Sequence, residues 1–110
     1  MDGNLLSLAW AEVCTLDAIP RQGSRVVATA GGDVAIFRTA ENEVFAIEDH
    51  CPHKGGPLSQ GIVHAKAVTC PLHNWVISLE TGEAAAPDEG CARRVPVRLD
   101  GGRVLLALRA

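Results

Sequence analysis

CPHKGGPLSQGIVHAKAVTCPLHNW, residues 51–75, carries a cysteine and a histidine in Cys51-Pro52-His53 and a second such pair in Cys70-Pro71-Leu72-His73. Each pair contains a proline directly after its cysteine, and the first is followed by Gly55, Gly56 and Gly61, so both read as loops. Two thiolates and two imidazoles make a metal-ligand set. They suit a single tetrahedral zinc ion, or a two-iron, two-sulfide cluster with the cysteines on one iron and the histidines on the other. The prolines fix φ and remove a backbone donor beside each cysteine, while the glycines let the backbone approach a bound group closely.

Working outward, residues 61–64 and 67–69 read as short strands between the two loops, which places the loops on neighbouring hairpins where they can face each other. Residues 25–30 (RVVATA) and 34–38 (VAIFR) flank Gly31-Gly32-Asp33, a strong hairpin signal, and 43–48 (EVFAIE) follows Ala40-Glu41-Asn42. These three predict a meander. Further strands are expected over 76–79, 94–99 and 103–108, with turns at Thr81-Gly82 and Asp100-Gly101-Gly102. Pro96 predicts an edge strand or a bulge. Residues 16–20 are compatible with one helical turn, and no window sustains a longer helical period. The expected fold is therefore all-β, a small antiparallel β-sandwich or barrel forming one domain over 1–110, with two hairpin loops at about 49–76 holding the metal centre.

Composition bounds the rest. One hundred and ten residues with 47% hydrophobic content allow one modest core. A net charge of −3 supplies no basic stripe, so no nucleic acid partner is expected. The apolar stretch over 5–11 is too short to cross a bilayer and Asp2 stands where a signal peptide carries positive charge, so no membrane association and a cytoplasmic location are expected. Four cysteines, two of them in ligand spacing, argue against a disulfide framework. With no nucleophile–base pair, phosphate loop or dinucleotide fingerprint in the sequence, catalysis by the chain alone has no support.

The pattern Cys-x-His followed by Cys-x-x-His, within CPHKGGPLSQGIV and CPLHNW, resembles the Rieske 2Fe-2S family. That resemblance implies a Rieske-type β fold in which Cys51 and Cys70 bind the inner iron and His53 and His73 the outer one. More narrowly, HNWVISLETGE (73–83) together with DEGC (88–91) resembles the small subunits of assimilatory NAD(P)H-dependent nitrite reductases. What this implies is an accessory electron-transfer subunit of an oxidoreductase in nitrate assimilation. Its partner would be a large catalytic subunit carrying FAD, a further iron–sulfur cluster and sirohaem, which reduces nitrite to ammonium. The ferredoxin component of an aromatic-ring dioxygenase shares fold and cluster and is the alternative. A structural zinc module is a third reading.

Mixed ligation has an electrostatic consequence. Two ferric ions, two sulfides and two thiolates sum to zero, so reduction is easier than for a cluster held by four thiolates, and Rieske potentials span roughly −150 to +300 mV against about −400 mV for plant-type ferredoxins. High-potential Rieske proteins add a disulfide between the loops and hydroxyl donors to the cluster. Here Gly56 and Leu72 stand at the disulfide positions, Trp75 at the serine position, and the chain has no tyrosine. The resemblance thus implies a potential at the low end, falling further in the alkaline range as His53 and His73 lose ring protons. Lys54, Leu58, Leu72, Asn74 and Trp75 are the expected docking surface for a redox partner. Cys14 and Cys91 read as small buried residues, His50 and His64 as surface or strand-end histidines, Trp10 and Trp75 as packing residues, and Glu80, Glu83, Asp88 and Glu89 as a solvated face.

Overall fold

In the computed structural model, which describes residues 8–50, 56–70, 74–85 and 90–109, ten antiparallel strands form three small sheets. In chain order they are β1 (Leu8–Thr15), β2 (Ser24–Thr29), β3 (Gly32–Arg38), β4 (Val44–Glu48), β5 (Ile62–His64), β6 (Ala67–Thr69), β7 (Val76–Ser78), β8 (Arg94–Val95), β9 (Val97–Asp100) and β10 (Arg103–Arg109). The sheets run β1-β10-β9, β2-β3-β4-β8 and β5-β6-β7. Among the described residues there is no α-helix, only the 3-10 turns Leu16–Ala18 and Leu58–Gln60. No helix there is long and apolar enough to cross a membrane.

β3 explains how three sheets share one body. Its run Val34-Ala35-Ile36-Phe37 is buried at every position, because the two faces of the strand serve two different cores. Ala35 and Phe37 join Ile47, Leu58, Val63, Val68, Cys70, Ile77 and Leu79 on one side. Val34 and Ile36 join Ala46, Val95, Val104 and Leu106 on the other. Successive side chains of a strand point to opposite faces, so a continuous apolar run is what a middle layer requires. The second core cements the sheet of β1, β10 and β9. The first cements the sheet of β5, β6 and β7, which carries the ligand segments.

The expected meander β2-β3-β4 forms with unbroken register from Ser24↔Phe37 to Arg38↔Val44. Pro96 marks more than an edge. It splits the expected strand 94–99 into β8, paired with β4, and β9, paired with β10, so the chain passes from one sheet to another at the residue that cannot donate to a ladder. Both pieces are edge strands. β1, not expected from the sequence, pairs with β10 from Leu8↔Arg109 to Thr15↔Arg103, with a bulge between Glu12 and Cys14. The helical turn expected over 16–20 is the 3-10 turn Leu16–Ala18, where the Arg38 guanidinium donates to the carbonyls of Leu16 and Ile19 at 3.2 and 2.9 Å.

Three expectations about single residues are corrected. Cys91 is exposed, not buried; it sits in an isolated bridge opposite Glu83 at the surface of the β7 hairpin. Trp10 is 46% exposed on the outer face of its sheet, with the Arg98 guanidinium 5.7 Å from its ring centroid, instead of packing into a core. Gly61, expected to approach a bound sulfide, instead approaches protein backbone, as described below. Cys14 is half-buried against the second core. Burial pushes its thiol pKa up, opposed by the Arg25 guanidinium.

Candidate metal centre

Of the expected ligands, Cys70 lies within the described residues. Cys51, His53 and His73 lie outside them, as do Lys54 and Leu72 of the expected docking surface and Asp88 and Glu89 of the acidic face. Cys70 directly follows β6 and is 1% exposed, embedded in the first core beside Leu58, Val68 and Ile77. Its backbone is tied on both sides of the second loop. The Cys70 amide donates to the Trp75 carbonyl at 2.7 Å, and the Asn74 amide donates back to the Cys70 carbonyl at 3.1 Å. Asn74 adopts φ 57°, the left-handed conformation that asparagine tolerates better than most residues. The 70–75 turn is thereby closed at its neck.

The exit of the first loop converges on the same place. Pro57 leads into the 3-10 turn Leu58–Gln60, and Leu58 is fully buried in the core that contains Cys70. This overturns the placement of Leu58 on the docking surface: the side chain anchors the loop to the body and presents nothing to a partner. Gly61 then runs against β6. A Cβ at Gly61 would collide with the Thr69 carbonyl oxygen and stand 2.8 Å from Val68 Cγ2 and 3.1 Å from the Leu58 carbonyl oxygen. The pairing Ile62↔Thr69 continues this contact, so the chain leaving the first loop lies alongside the residues entering the second.

At its other end the first loop leaves β4 under similar restraint. The Asp49 amide donates to the Asp33 carbonyl at 3.0 Å, and the Glu48 amide donates to the Arg93 carbonyl at 2.8 Å. The Asp49 carboxylate accepts from the Ser59 amide at 2.7 Å and from the Ser59 hydroxyl at 2.9 Å. Nothing in the sequence signals this pair, since two polar residues ten apart make no periodic pattern. Among the remaining candidates, Asn74 is exposed and Trp75 is partly buried against the first core. His50 and His64 are both exposed, and His64 Nε2 lies 2.7 Å from Thr69 Oγ1 at the end of its strand.

What is described of the site fits a two-iron cluster. Cys70 brings a soft sulfur donor to an apolar, rigid wall, and the donor set of two cysteines and two histidines is the one that mixed ligation needs.

A body built of strands, with the soft donor Cys70 buried in its core directly after β6, is a scaffold that suits a small metal-binding protein. The chain belongs to the Rieske-like 2Fe-2S domain family, which it matches over residues 9–107. Its cofactor is accordingly a Rieske 2Fe-2S cluster and its class is that of Rieske electron-transfer proteins, which sets the zinc reading aside.

Among its relatives, the chain is 33% identical to the 3-phenylpropionate/cinnamic acid dioxygenase ferredoxin subunit of Photorhabdus laumondii over 87% of this chain and 91% of that one. It is 48% identical to the 4beta-methylsterol monooxygenase of Methylococcus capsulatus over 56 residues, which are 51% of this chain but only 15% of that much longer protein. Among solved structures, one assigned as the NADH-dependent nitrite reductase small subunit of Mycobacterium tuberculosis superposes with a TM-score of 0.82 at 25% identity, covering 94% of this chain and 97% of that one.

Proposed function

We propose that this chain is a single-domain, cytoplasmic electron carrier that serves as the small subunit of an NAD(P)H-dependent assimilatory nitrite reductase, with Cys51 and Cys70 on one iron and His53 and His73 on the other. When bound, the cluster supplies a one-electron couple of low charge. The chain's own residues do the rest. Cys70 and the wall of Leu58, Val68 and Ile77 exclude water from the cysteine side, while Asn74 stays exposed on the turn that leads from His73. Electrons would enter and leave on that histidine side. In this reading the chain is an accessory to a large catalytic subunit and has no turnover of its own.

The observation that carries the finer reading is that the two separated parts of the subfamily signature meet in space. Ser78 donates its amide to the Glu83 carbonyl, Glu83 pairs with Cys91, and the Ala92 amide donates to the Gly82 carbonyl at 2.7 Å. The segment ISLETGE and the residues that end DEGC therefore form one unit, which Ile77 and Leu79 anchor to the first core while Glu80, Thr81, Glu83, Gly90 and Cys91 are exposed to a partner. Likeness along the whole chain to the mycobacterial small subunit agrees with this. A second reading, the ferredoxin component of an aromatic-ring dioxygenase, is favoured by the identity to the Photorhabdus ferredoxin subunit over nearly its full length.

Two measurements test the proposal. EPR of the dithionite-reduced protein is expected to give a rhombic signal with an average g below that of four-cysteine clusters; an ordinary ferredoxin signal would refute histidine ligation. Addition of the loaded chain to a sirohaem-containing nitrite reductase large subunit is expected to raise nitrite-dependent NAD(P)H oxidation. No effect there, with rapid electron delivery to a dioxygenase oxygenase component, would reverse the order of the two readings.

A further inference from the structure

The first ligand segment is the longer of the two, and its ends are not joined by a strand ladder. β4 stops at Glu48, and the next paired residue on the far side is Ile62. Between them, one side-chain pair bridges the neck. The Asp49 carboxylate spans ten residues to Ser59, using one oxygen for the Ser59 amide at 2.7 Å and the other for the Ser59 hydroxyl at 2.9 Å. Ser59 is itself held from outside: the Ser24 hydroxyl of β2 donates to its carbonyl at 2.7 Å. On the other side, the Asp49 amide donates to the Asp33 carbonyl at 3.0 Å. Both ends of the bridge are thus fixed to the central sheet, Ser59 through β2 and Asp49 through β3.

We propose that Asp49 is a positioning residue for the cluster: its two-pronged contact with Ser59 closes the neck of the segment 50–58 and so fixes where Cys51 and His53 stand relative to Cys70. The physical reason is loop entropy. A segment of this length with open ends samples many conformations, and each hydrogen bond that closes it removes part of that freedom before the metal is bound. Carboxylate acceptors suit the task, because charge-assisted hydrogen bonds are shorter and stronger than neutral ones. Leu58 and Gly61 hold the exit of the segment by packing, Leu58 within the core that also contains Ile47 of β4. A directional contact across the neck sets the geometry of the two ends more tightly than packing does, and among the described residues the Asp49–Ser59 pair is the side-chain hydrogen bond that crosses it.

This inference rests on the ligand assignment proposed above, and the test separates the two. Parent protein, Asp49→Ala, Asp49→Asn and Ser59→Ala are reconstituted with iron and sulfide. Each is then challenged with excess EDTA while the visible absorption is followed, EPR is recorded after reduction, and the melting temperature of the metal-free protein is measured. Asp49→Ala is expected to lose its cluster about 10- to 100-fold faster, the range found for residues that orient metal ligands, with broadened EPR lines and an apoprotein melting temperature near that of the parent. Ser59→Ala keeps the backbone prong and falls between. Asp49→Asn retains a neutral acceptor for the Ser59 amide and is expected to recover part of the retention and linewidth lost in Asp49→Ala. Parent-like loss and spectra in Asp49→Ala overturn the proposal, as does an Asp49→Asn variant as labile as Asp49→Ala, or a drop in apoprotein melting that accounts for the lability. A parent protein that takes up no cluster overturns the ligand assignment, and the positioning role with it.

Discussion

Replacing Gly61 by alanine tests the contact that holds the exit of the first loop against β6. The added methyl would meet the Thr69 carbonyl oxygen, with Val68 Cγ2 at 2.8 Å and the Leu58 carbonyl oxygen at 3.1 Å. Two of the three neighbours are backbone atoms, so no rotamer change relieves the overlap; the turn Leu58–Gln60 and β6 must move apart. Overpacking of this kind costs about 1–3 kcal/mol. Separation also lifts Leu58 out of its pocket, and full burial of such a side chain is worth about 1.5–3 kcal/mol. Against these terms stands a gain of about 0.4–1 kcal/mol from a less flexible unfolded chain, because Gly61 has φ −79°, which alanine adopts freely. The net expectation is a loss of about 1.5–5.5 kcal/mol, read as a lower urea midpoint at unchanged slope, together with reduced iron content. Gly101→Ala is the control. It has φ +57° and nothing within 4 Å of the added Cβ, so it should cost about 1–2 kcal/mol through backbone conformation alone and leave iron content intact. A Gly61→Ala protein within about 0.5 kcal/mol of the parent, with full iron, would refute the reasoning.

Cys70→Ser is expected to abolish the visible absorption of the reconstituted protein while the body stays folded, because a hard hydroxyl replaces a soft thiolate on a buried wall; retained iron and an unchanged spectrum would count against it. A redox titration is expected to give a midpoint near −150 mV to within about 100 mV, and a value above zero would contradict the low-potential assignment. With a maleimide at neutral pH, Cys91 should label quickly and Cys14 slowly, since one thiol is exposed and the other is half-buried with a raised pKa. A raised folded-state pKa means that the Cys14 contribution to stability is present below the ordinary cysteine range and lost as pH climbs through the folded value. Cys14→Ala should therefore flatten the alkaline limb of the stability profile, and an unchanged limb would show that the burial of this thiol has no thermodynamic weight.

Elements joined by short turns were legible in the sequence because their signals are local. Gly31-Gly32-Asp33 and Ala40-Glu41-Asn42 mark the turns of the central meander, and the runs beside them pair with their nearest neighbours. β1 escaped notice for the opposite reason. Its alanines weaken any strand propensity, and its partner β10 lies at the far end of the chain, so only tertiary pairing makes it a strand. At the site, the ligand spacing announced the chemistry, whereas burial inside the loops did not show. Leu58 follows Pro57 in a stretch rich in glycine and serine, which reads as exposed, yet a single 3-10 turn directs its side chain into the core. Gly61 was rightly read as a close-approach glycine, but the partner it approaches is set by strand packing that no local pattern encodes.

β4 and β8 are hydrogen-bonded neighbours through Ala46↔Val95 and Ile47↔Arg94. The forty-odd residues between Glu48 and Arg93 thus depart and return at points about one strand spacing, roughly 4.8 Å, apart. Such an excursion is a cassette. Exchange with the equivalent piece of a related protein would keep the host ladder whole, provided the face made by Ala35, Phe37 and Ile47 finds matching side chains beneath it. The excursion, which contains both Cys-His pairs of the sequence, could therefore be inherited separately from the rest of the chain, and hybrids joined at Glu48 and Arg93 are natural vehicles for moving it.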